Sequence, residues 1–183
     1  MKTILSTLFL FLLVQTSFAQ DKYFTKTAKI DFFSKAPLED ITARTNTAAA
    51  ILDTKSGALQ FSVVMKSFEF KKALMQEHFN ENYVESGKYP KGEFRGSIAN
   101  NSAVNYTKDG SYAVTVKGKM TIHGVTRDVE APGTLRVDNG VVYANSTFNL
   151  LLSDYNIKIP AVVKDKVSNT IQITVDAKLD PLK

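Results

Sequence analysis

The chain has 183 residues, of which 44% are hydrophobic and 22% charged, a composition typical of one folded domain and unlike that of a disordered or fibrous protein. It contains no cysteine, which excludes disulfide bonds, thiol nucleophiles and cysteine-ligated metal sites. The net charge of +5 comes from basic residues that are scattered among acidic ones, and this argues against a nucleic-acid-binding surface. Weak, transient contact with an anionic membrane surface is compatible with the same charge.

The first residues have the features of a secretory signal peptide. Lys2 supplies positive charge, residues 4–14 form an almost uninterrupted apolar run, and Ser17 and Ala19 are small residues at the positions that a signal peptidase reads. A retained membrane anchor is the alternative, but the run is shorter than the roughly 20 apolar residues that a spanning helix needs. We therefore expect a cleaved signal peptide over 1–19, one domain over 20–183, and export, with the periplasm favoured over secretion.

Period-two alternation predicts strands along much of the remaining chain. Residues 59–65 and 171–179 alternate apolar side chains with mostly polar ones, as a strand with one buried face does. Weaker candidates, which bring the count to about eight, are 22–33, 41–52, 92–106, 111–122, 125–137 and 141–152. Hairpin turns that need a positive φ are predicted where glycine follows small polar residues, at 55–57, 108–110 and 138–140. Most neighbouring strands should therefore pair antiparallel.

Residues 71–84 hold the one convincing amphipathic helix. The side chains that follow the i, i+3, i+4 spacing of a single helical face are Leu74, Met75, His78, Phe79 and Tyr83 or Val84. Antiparallel strands can form a sandwich or close into a barrel, and alternation alone does not choose between them. A bulky apolar core and a helix placed to cover an open end favour an all-β, eight-stranded barrel with this helix near its mouth, and such a barrel can hold one small ligand.

Three groups of residues, in order and at matching spacing, resemble the YceI-like family of exported polyisoprenoid-binding proteins. They are Leu74-Met75, His78-Phe79, Tyr83, Lys88-Tyr89-Pro90, Phe94 and Gly96; then residues 118–126, GKMTIHGVT; then Asp154-Tyr155-Asn156-Ile157. The resemblance implies an antiparallel, lipocalin-like barrel with an elongated apolar cavity for an isoprenoid chain, no cofactor and no established catalysis. Relatives often have glycine where this chain has Asn156, but asparagine tolerates the left-handed conformation, so the turn should survive.

The candidate ligand-binding residues follow from the helix, the aromatic side chains and the resemblance. They are Met75, His78, Phe79, Tyr83, Phe94, His123, Asp154 and Tyr155. Each polar member also has a structural interpretation: His78 as a core histidine, His123 as a hydrogen bond that holds a bend, and Asp154 as a turn former. A metal site would need both histidines and a carboxylate, and no tight ligand spacing such as HExxH is present, so we expect none.

The leading hypothesis is a soluble, exported protein that is not an enzyme and that sequesters or transports a long-chain isoprenoid or quinone-like lipid. A barrel without cargo, acting as a structural or interaction protein of the cell envelope, is the alternative. A lipid-modifying enzyme that uses His123 and Asp154 is a weaker one, because the chain has no nucleophile motif such as GxSxG. The protein is expected to be a monomer or a homodimer.

Overall fold

The structure is a computed structural model that describes residues 21–182. Within these residues lie nine strands: β1 (Lys22–Lys35), β2 (Asp40–Asp53), β3 (Ala58–Val64), β4 (Glu69–Phe70), β5 (Lys91–Ile98), β6 (Gly110–Ile122), β7 (Val125–Asp138), β8 (Val141–Leu151) and β9 (Thr170–Pro181). A short helix, α1 (Ala73–His78), continues into a π-helical turn, Phe79–Tyr83. The predicted signal peptide, residues 1–19, lies outside the described residues.

Eight of the strands close into one antiparallel barrel. Their order around the wall is β1-β2-β3-β5-β6-β7-β8-β9, and pairing of β9 with β1 completes the circle. The two-residue β4 pairs with β2 outside this circle. The predicted all-β, eight-stranded, antiparallel barrel is confirmed.

Two hairpins of the barrel have two-residue turns with left-handed backbone. Asn139 and Gly140 have φ of 50° and 76° between β7 and β8, and His123 and Gly124 have φ of 52° and 71° between β6 and β7. Positive φ at both central residues is the geometry that matches the twist of paired strands. Of the three glycines where the pattern predicted a positive φ, Gly57 and Gly140 have one, at 72° and 76°, whereas Gly110 begins β6 without one.

The predicted strand over 92–106 is too long, because β5 ends at Ile98. Beyond Ile98, the side chain of Asn100 hydrogen-bonds backbone groups of β6. Its Nδ2 donates to the carbonyl of Ala113 and its Oδ1 accepts from the amide of Thr115, both at 3.0 Å. A side-chain amide that replaces ladder bonds lets the chain leave the sheet at little cost. The chain then turns through a loop before β6 begins.

The two ends of the barrel differ in packing. One end, with the loops 54–57, 99–109 and 139–140, is filled by side chains that are almost fully buried, among them Leu52, Val137, Val142, Ala177 and Leu179. The opposite end, which we call the mouth end, carries the segments 36–39, 65–90, 123–124 and 152–169. The packed end supplies the rigid core, and the mouth end surrounds the cavity described below.

The predicted helix over 71–84 is confirmed at the mouth end, although it is shorter and less regular than expected. Lys72 is still extended, and the helix ends where Glu85 takes a φ of 45°. We call residues 71–90 the lid segment. It is attached to β4 by a hydrogen bond from the amide of Phe70 to Gln76 Oε1, 3.3 Å. Among residues 21–182, no helix has the length and apolar character needed to cross a bilayer.

Candidate functional site

The mouth-end half of the barrel encloses an apolar cavity of about 520 Å³, a volume within the range of small-molecule sites. Its wall is built by every second residue of the strands, since alternate side chains of a barrel strand point inward. The strand side chains on this wall include Phe61, Val63, Val116, Met120, Ile173 and Val175. Inward-facing polar side chains are scarce there, so the cavity suits an apolar ligand.

Four phenylalanines join the lid segment to the barrel wall. Phe79 of the lid segment stacks on Phe32 of β1, with ring centroids 5.5 Å apart, and lies 5.8 Å from Phe68 and 5.0 Å from Phe70. Such tilted and stacked contacts stabilise aromatic pairs beyond simple burial. All four rings also line the cavity. The same side chains therefore hold the lid segment in place and form part of the cavity wall.

Five of the eight candidate residues lie on the cavity wall: Met75, His78, Phe79, Tyr83 and Phe94. Burial raises the pKa of the Tyr83 hydroxyl, which stays neutral at physiological pH. His78 is exposed rather than a core histidine, and its Nδ1 lies 3.0 Å from the side-chain amide nitrogen of Asn82. Whether these side chains contact a ligand stays a prediction, but the structure brings them to one surface.

The structure places the other three candidates, His123, Asp154 and Tyr155, outside the lining of the cavity. The Tyr155 ring is buried in the core, and burial raises the pKa of its hydroxyl. The backbone carbonyl of Asp154 accepts a 2.8 Å hydrogen bond from Arg127 Nε. Asn156 has a φ of 56°, so the expected left-handed turn is formed.

His123 instead joins three segments of the mouth end. Its Nδ1 lies 3.0 Å from the carbonyl oxygen of Tyr155 and its Nε2 lies 2.5 Å from the Glu85 carboxylate, while the imidazole is only 13% exposed. A carbonyl and a carboxylate both accept hydrogen bonds, so this geometry is satisfied when both nitrogens of the imidazole donate. The ring of Tyr89 packs edge-on against the imidazole, with centroids 4.8 Å apart. We call this group of His123, Glu85, Tyr89 and the Tyr155 carbonyl the brace.

Sequence reasoning missed Glu85, because no local pattern marks a single carboxylate that pairs with a histidine 38 positions away. It also named few cavity residues of β6 to β8, although alternation indicates which side chains of each strand point inward. The inward side chains of these strands that were not named include Val116, Val129, Ala131 and Leu150.

The charged groups that line the cavity lie at its rim, whereas polar uncharged side chains also line it between β7 and β8. Lys72 Nζ lies 2.7 Å from Glu39 Oε1, and this ion pair joins the lid segment to the β1–β2 loop. Lys166, from the loop after β8, lines the same region. A ligand with an apolar tail and a polar head fits this arrangement with its tail inside and its head at the rim.

One side of the cavity wall lacks a continuous ladder. β7 and β8 pair only over Gly133–Asp138 and Val141–Ser146, whereas β6 and β7 pair along thirteen residues. The pairing stops next to Pro132, which has no N–H to donate; its carbonyl accepts a 2.6 Å hydrogen bond from the Ser146 hydroxyl. Beyond this point no backbone ladder joins the two strands, and Gly133, Thr134, Asn145 and Ser146 at its end line the cavity.

The described residues contain no group of three or more His, Asp or Glu side chains placed to hold a metal ion. The two histidines lie in different surroundings, one on the cavity wall and one in the brace. A shared site for both would need the lid segment and the β6–β7 turn to move.

Comparison with known structures gives several proteins of the same fold. A polyisoprenoid-binding domain from Saccharophagus degradans, implicated in plant cell wall breakdown, superposes with a TM-score of 0.77 at 12% identity, over 89% of this chain and 99% of that one. BcnA from Burkholderia cenocepacia superposes with a TM-score of 0.68 at 18% identity, over 83% of this chain and 95% of that one. The YceI protein of Campylobacter jejuni superposes with a TM-score of 0.53 at 16% identity, over 74% of this chain and 83% of that one.

Sequence comparisons complete this result. No curated protein matches the sequence. The family model described as the YceI-like domain matches residues 21–179, which extend from the start of β1 into β9. The chain therefore belongs to the YceI-like family.

Proposed function

We propose that this protein is an exported carrier that shelters one long-chain isoprenoid, or a similar amphiphile such as a quinone, in its barrel cavity. The observation that carries the proposal is the cavity itself, with about 520 Å³ of mostly apolar-lined space and charged groups at its rim. The similar domain from Saccharophagus degradans is described as polyisoprenoid-binding, which supports the same ligand class. Export rests on the signal peptide predicted from residues 1–19.

Burial of the tail supplies the affinity. Each methylene moved from water into the cavity contributes about 0.8 kcal/mol, so ten buried methylenes contribute roughly 8 kcal/mol before the costs of ordering the chain. The polar head stays at the rim, within reach of Lys72, Glu39 and Lys166. Binding is therefore expected to tolerate different tails of similar length and to depend more sharply on the head.

The alternatives fit the cavity less well. A structural or interaction protein without cargo has no need of an apolar space of this size, since protein interiors are normally close-packed. A lipid-modifying enzyme that uses His123 and Asp154 would need these groups beside the ligand, yet neither lines the cavity. Binding without catalysis is the function that the geometry supports.

Filling the cavity tests this proposal. Val116 of β6 and Val175 of β9 both face the cavity, so the double variant Val116→Phe/Val175→Phe should occupy the space that the tail needs. We expect at least tenfold weaker binding of a fluorescent polyisoprenol delivered from dilute detergent, with thermal stability unchanged or higher. The matched control is Gln172→Phe on the outer face of β9. Undiminished binding by the filled variant would contradict the proposal.

A further inference from the structure

The exposed apolar side chains of this protein are gathered at one end. In the described residues, six large apolar side chains are exposed, and five of them lie at the mouth end: Leu38, Val64, Leu74, Leu151 and Val162. The sixth, Leu182, lies at the packed end, where its amide donates to the carbonyl of Lys22. Single exposed apolar residues are ordinary, but a group at one end of a molecule indicates an interaction surface.

Three of these side chains surround the cavity opening. Val162 is 90% exposed, Leu38 is 71% exposed and Leu74 is 60% exposed. Their segments are neighbours, because the amide of Leu38 donates to the carbonyl of Asp165 at 3.0 Å and the Lys72–Glu39 ion pair ties the lid segment to the β1–β2 loop. Leu74 also lines the cavity. We call the surface formed by 36–39, 71–74 and 158–166 the rim face.

Lysines accompany these apolar side chains. The rim face holds five lysines, which are Lys71, Lys72, Lys158, Lys164 and Lys166, and two carboxylates, Glu39 and Asp165. Lys72 is paired with Glu39, and the other four lysines make no ion pair among the described residues. The net charge of this surface is therefore +3, from five positive and two negative groups.

We propose that the rim face docks the protein on an anionic lipid bilayer, with Leu38, Leu74 and Val162 inserted among the headgroups and the lysines against the lipid phosphates. Apolar side chains ringed by basic ones are the pattern that binds lipid interfaces, since the apolar groups enter the headgroup region and the cations meet the anionic surface. A protein partner would also bury apolar residues, but the positive charge around them matches the anionic lipid better.

The orientation places the cavity opening against the bilayer. If the protein carries a lipid as proposed above, the tail can pass between membrane and cavity without crossing water. Contact of its methylenes with water would be unfavourable in free energy. This consequence rests on the proposed function. The docking itself depends only on the rim face, so the two can be tested separately.

Tryptophan fluorescence tests the docking directly, because the chain has no tryptophan of its own. Residues 21–182 form the complete barrel, so protein lacking the predicted signal peptide is suitable. V162W at the rim face and L182W at the packed end form a matched pair of exposed sites. Vesicles of phosphatidylcholine and phosphatidylglycerol in equal parts should shift the V162W emission to shorter wavelength and allow its quenching by brominated acyl chains, and should leave L182W unchanged.

The charge dependence gives a second test. Vesicles of phosphatidylcholine alone should bind weakly, and added salt should release the protein from the anionic vesicles. Lys164→Gln/Lys166→Gln should weaken vesicle binding on the order of tenfold or more, since each lysine near an anionic surface contributes several-fold in affinity. No spectral shift of V162W with anionic vesicles, or equal shifts of V162W and L182W, would overturn the proposal.

A third variant separates membrane docking from lipid carriage. Leu38→Asp/Val162→Asp should lose extraction of a labelled polyisoprenol from vesicles but keep its uptake from detergent. If the unmodified protein takes up no polyisoprenol from detergent, the carrier function is contradicted and the docking result is unaffected. If the aspartate variant extracts the polyisoprenol from vesicles as fast as the unmodified protein does, the docking proposal is overturned.

Discussion

Phe79 contacts both the protein and the cavity. Its ring packs against Phe32, Phe68 and Phe70, and it also lines the space proposed for the ligand. A charged side chain at this position would lie beside the tail of the ligand, where an unpaired charge is strongly disfavoured. The ring is only partly buried, however, so a carboxylate can turn toward water in the empty protein.

We therefore expect Phe79→Asp to weaken polyisoprenol binding at least tenfold and to lower the free energy of unfolding by about 2 to 4 kcal/mol, somewhat less than the loss of a fully buried aromatic ring costs. Phe79→Leu is the control, because it removes the ring contacts and keeps an apolar surface. Titration with a fluorescent polyisoprenol and thermal unfolding measure the two effects. Equal binding losses in both variants would show that Phe79 matters only for packing.

Tyr106 lies in the loop between β5 and β6 at the packed end, where its hydroxyl donates to Asn101 Oδ1 at 2.8 Å. Burial raises the pKa of Tyr106 to about 12, because the charged phenolate is disfavoured away from water. The unfolded chain releases this proton near pH 10. The neutral hydroxyl thus favours the folded state below pH 10, and this contribution is lost as the pH rises toward 12.

We expect the melting temperature to fall steeply between about pH 10 and pH 12, with a shallower fall in Tyr106→Phe, which has no proton to lose at this position. Tyr112→Phe is the control, since the hydroxyl of Tyr112 is exposed at its hydrogen bond to the Lys108 carbonyl. Thermal unfolding across this pH range measures the effect. Identical slopes for the unmodified protein and Tyr106→Phe would contradict this explanation.

The elements of the mouth end depend on the brace. The lid segment contacts the barrel through the phenylalanines on one side and through Glu85 and His123 on the other. Both Glu85 and His123 have left-handed backbone, with φ of 45° and 52°. Such conformations cost free energy in residues other than glycine, and the hydrogen bonds of the brace offset that cost.

We expect His123→Asn to keep the β6–β7 turn, since asparagine tolerates left-handed backbone, and to lose the brace, since its shorter side chain does not span from Glu85 to the Tyr155 carbonyl. The free energy of unfolding should fall by about 1 to 3 kcal/mol, and amide hydrogens of the lid segment should exchange faster. Asn139→His, in the turn that has no brace, measures the cost of histidine in this geometry. Unchanged exchange in the lid segment of His123→Asn would contradict a holding role.

Strands and the lid helix were predictable from the sequence, because their signals are local. Alternation over 171–179 comes from inward side chains of β9, and the spacing of Met75 and Phe79 reflects one face of α1 and its π-helical continuation. The end of β5 was not predictable, since it depends on where the side chain of Asn100 finds its partners.

The two histidines show the limit of sequence analysis at the site. Each lies next to an apolar residue, His78 before Phe79 and His123 after Ile122, and both were candidates for a ligand contact. His78 lies on the cavity wall, and His123 lies in the brace because Glu85 and Tyr155, 38 and 32 positions away, meet it there. Contacts at such separations follow from closure of the barrel, which no local pattern specifies.

At the scale of the whole barrel, residues 21–182 form one packed end and one end that holds the cavity. Fully buried side chains fill the packed end, while the cavity, the lid segment, the brace and the rim face all lie at the mouth end. The central claim of this account is that the cavity holds a long-chain lipid.

Native mass spectrometry of the protein beginning at Gln20, purified from the periplasm of an expression host without detergent, tests that claim most directly. Lipid extraction of the same sample identifies whatever is bound. We predict a discrete adduct with the mass of one isoprenoid or quinone, absent from the cavity-filling variant Val116→Phe/Val175→Phe. A protein that shows only its own mass, and keeps it after long-chain isoprenoids are added, would contradict the account.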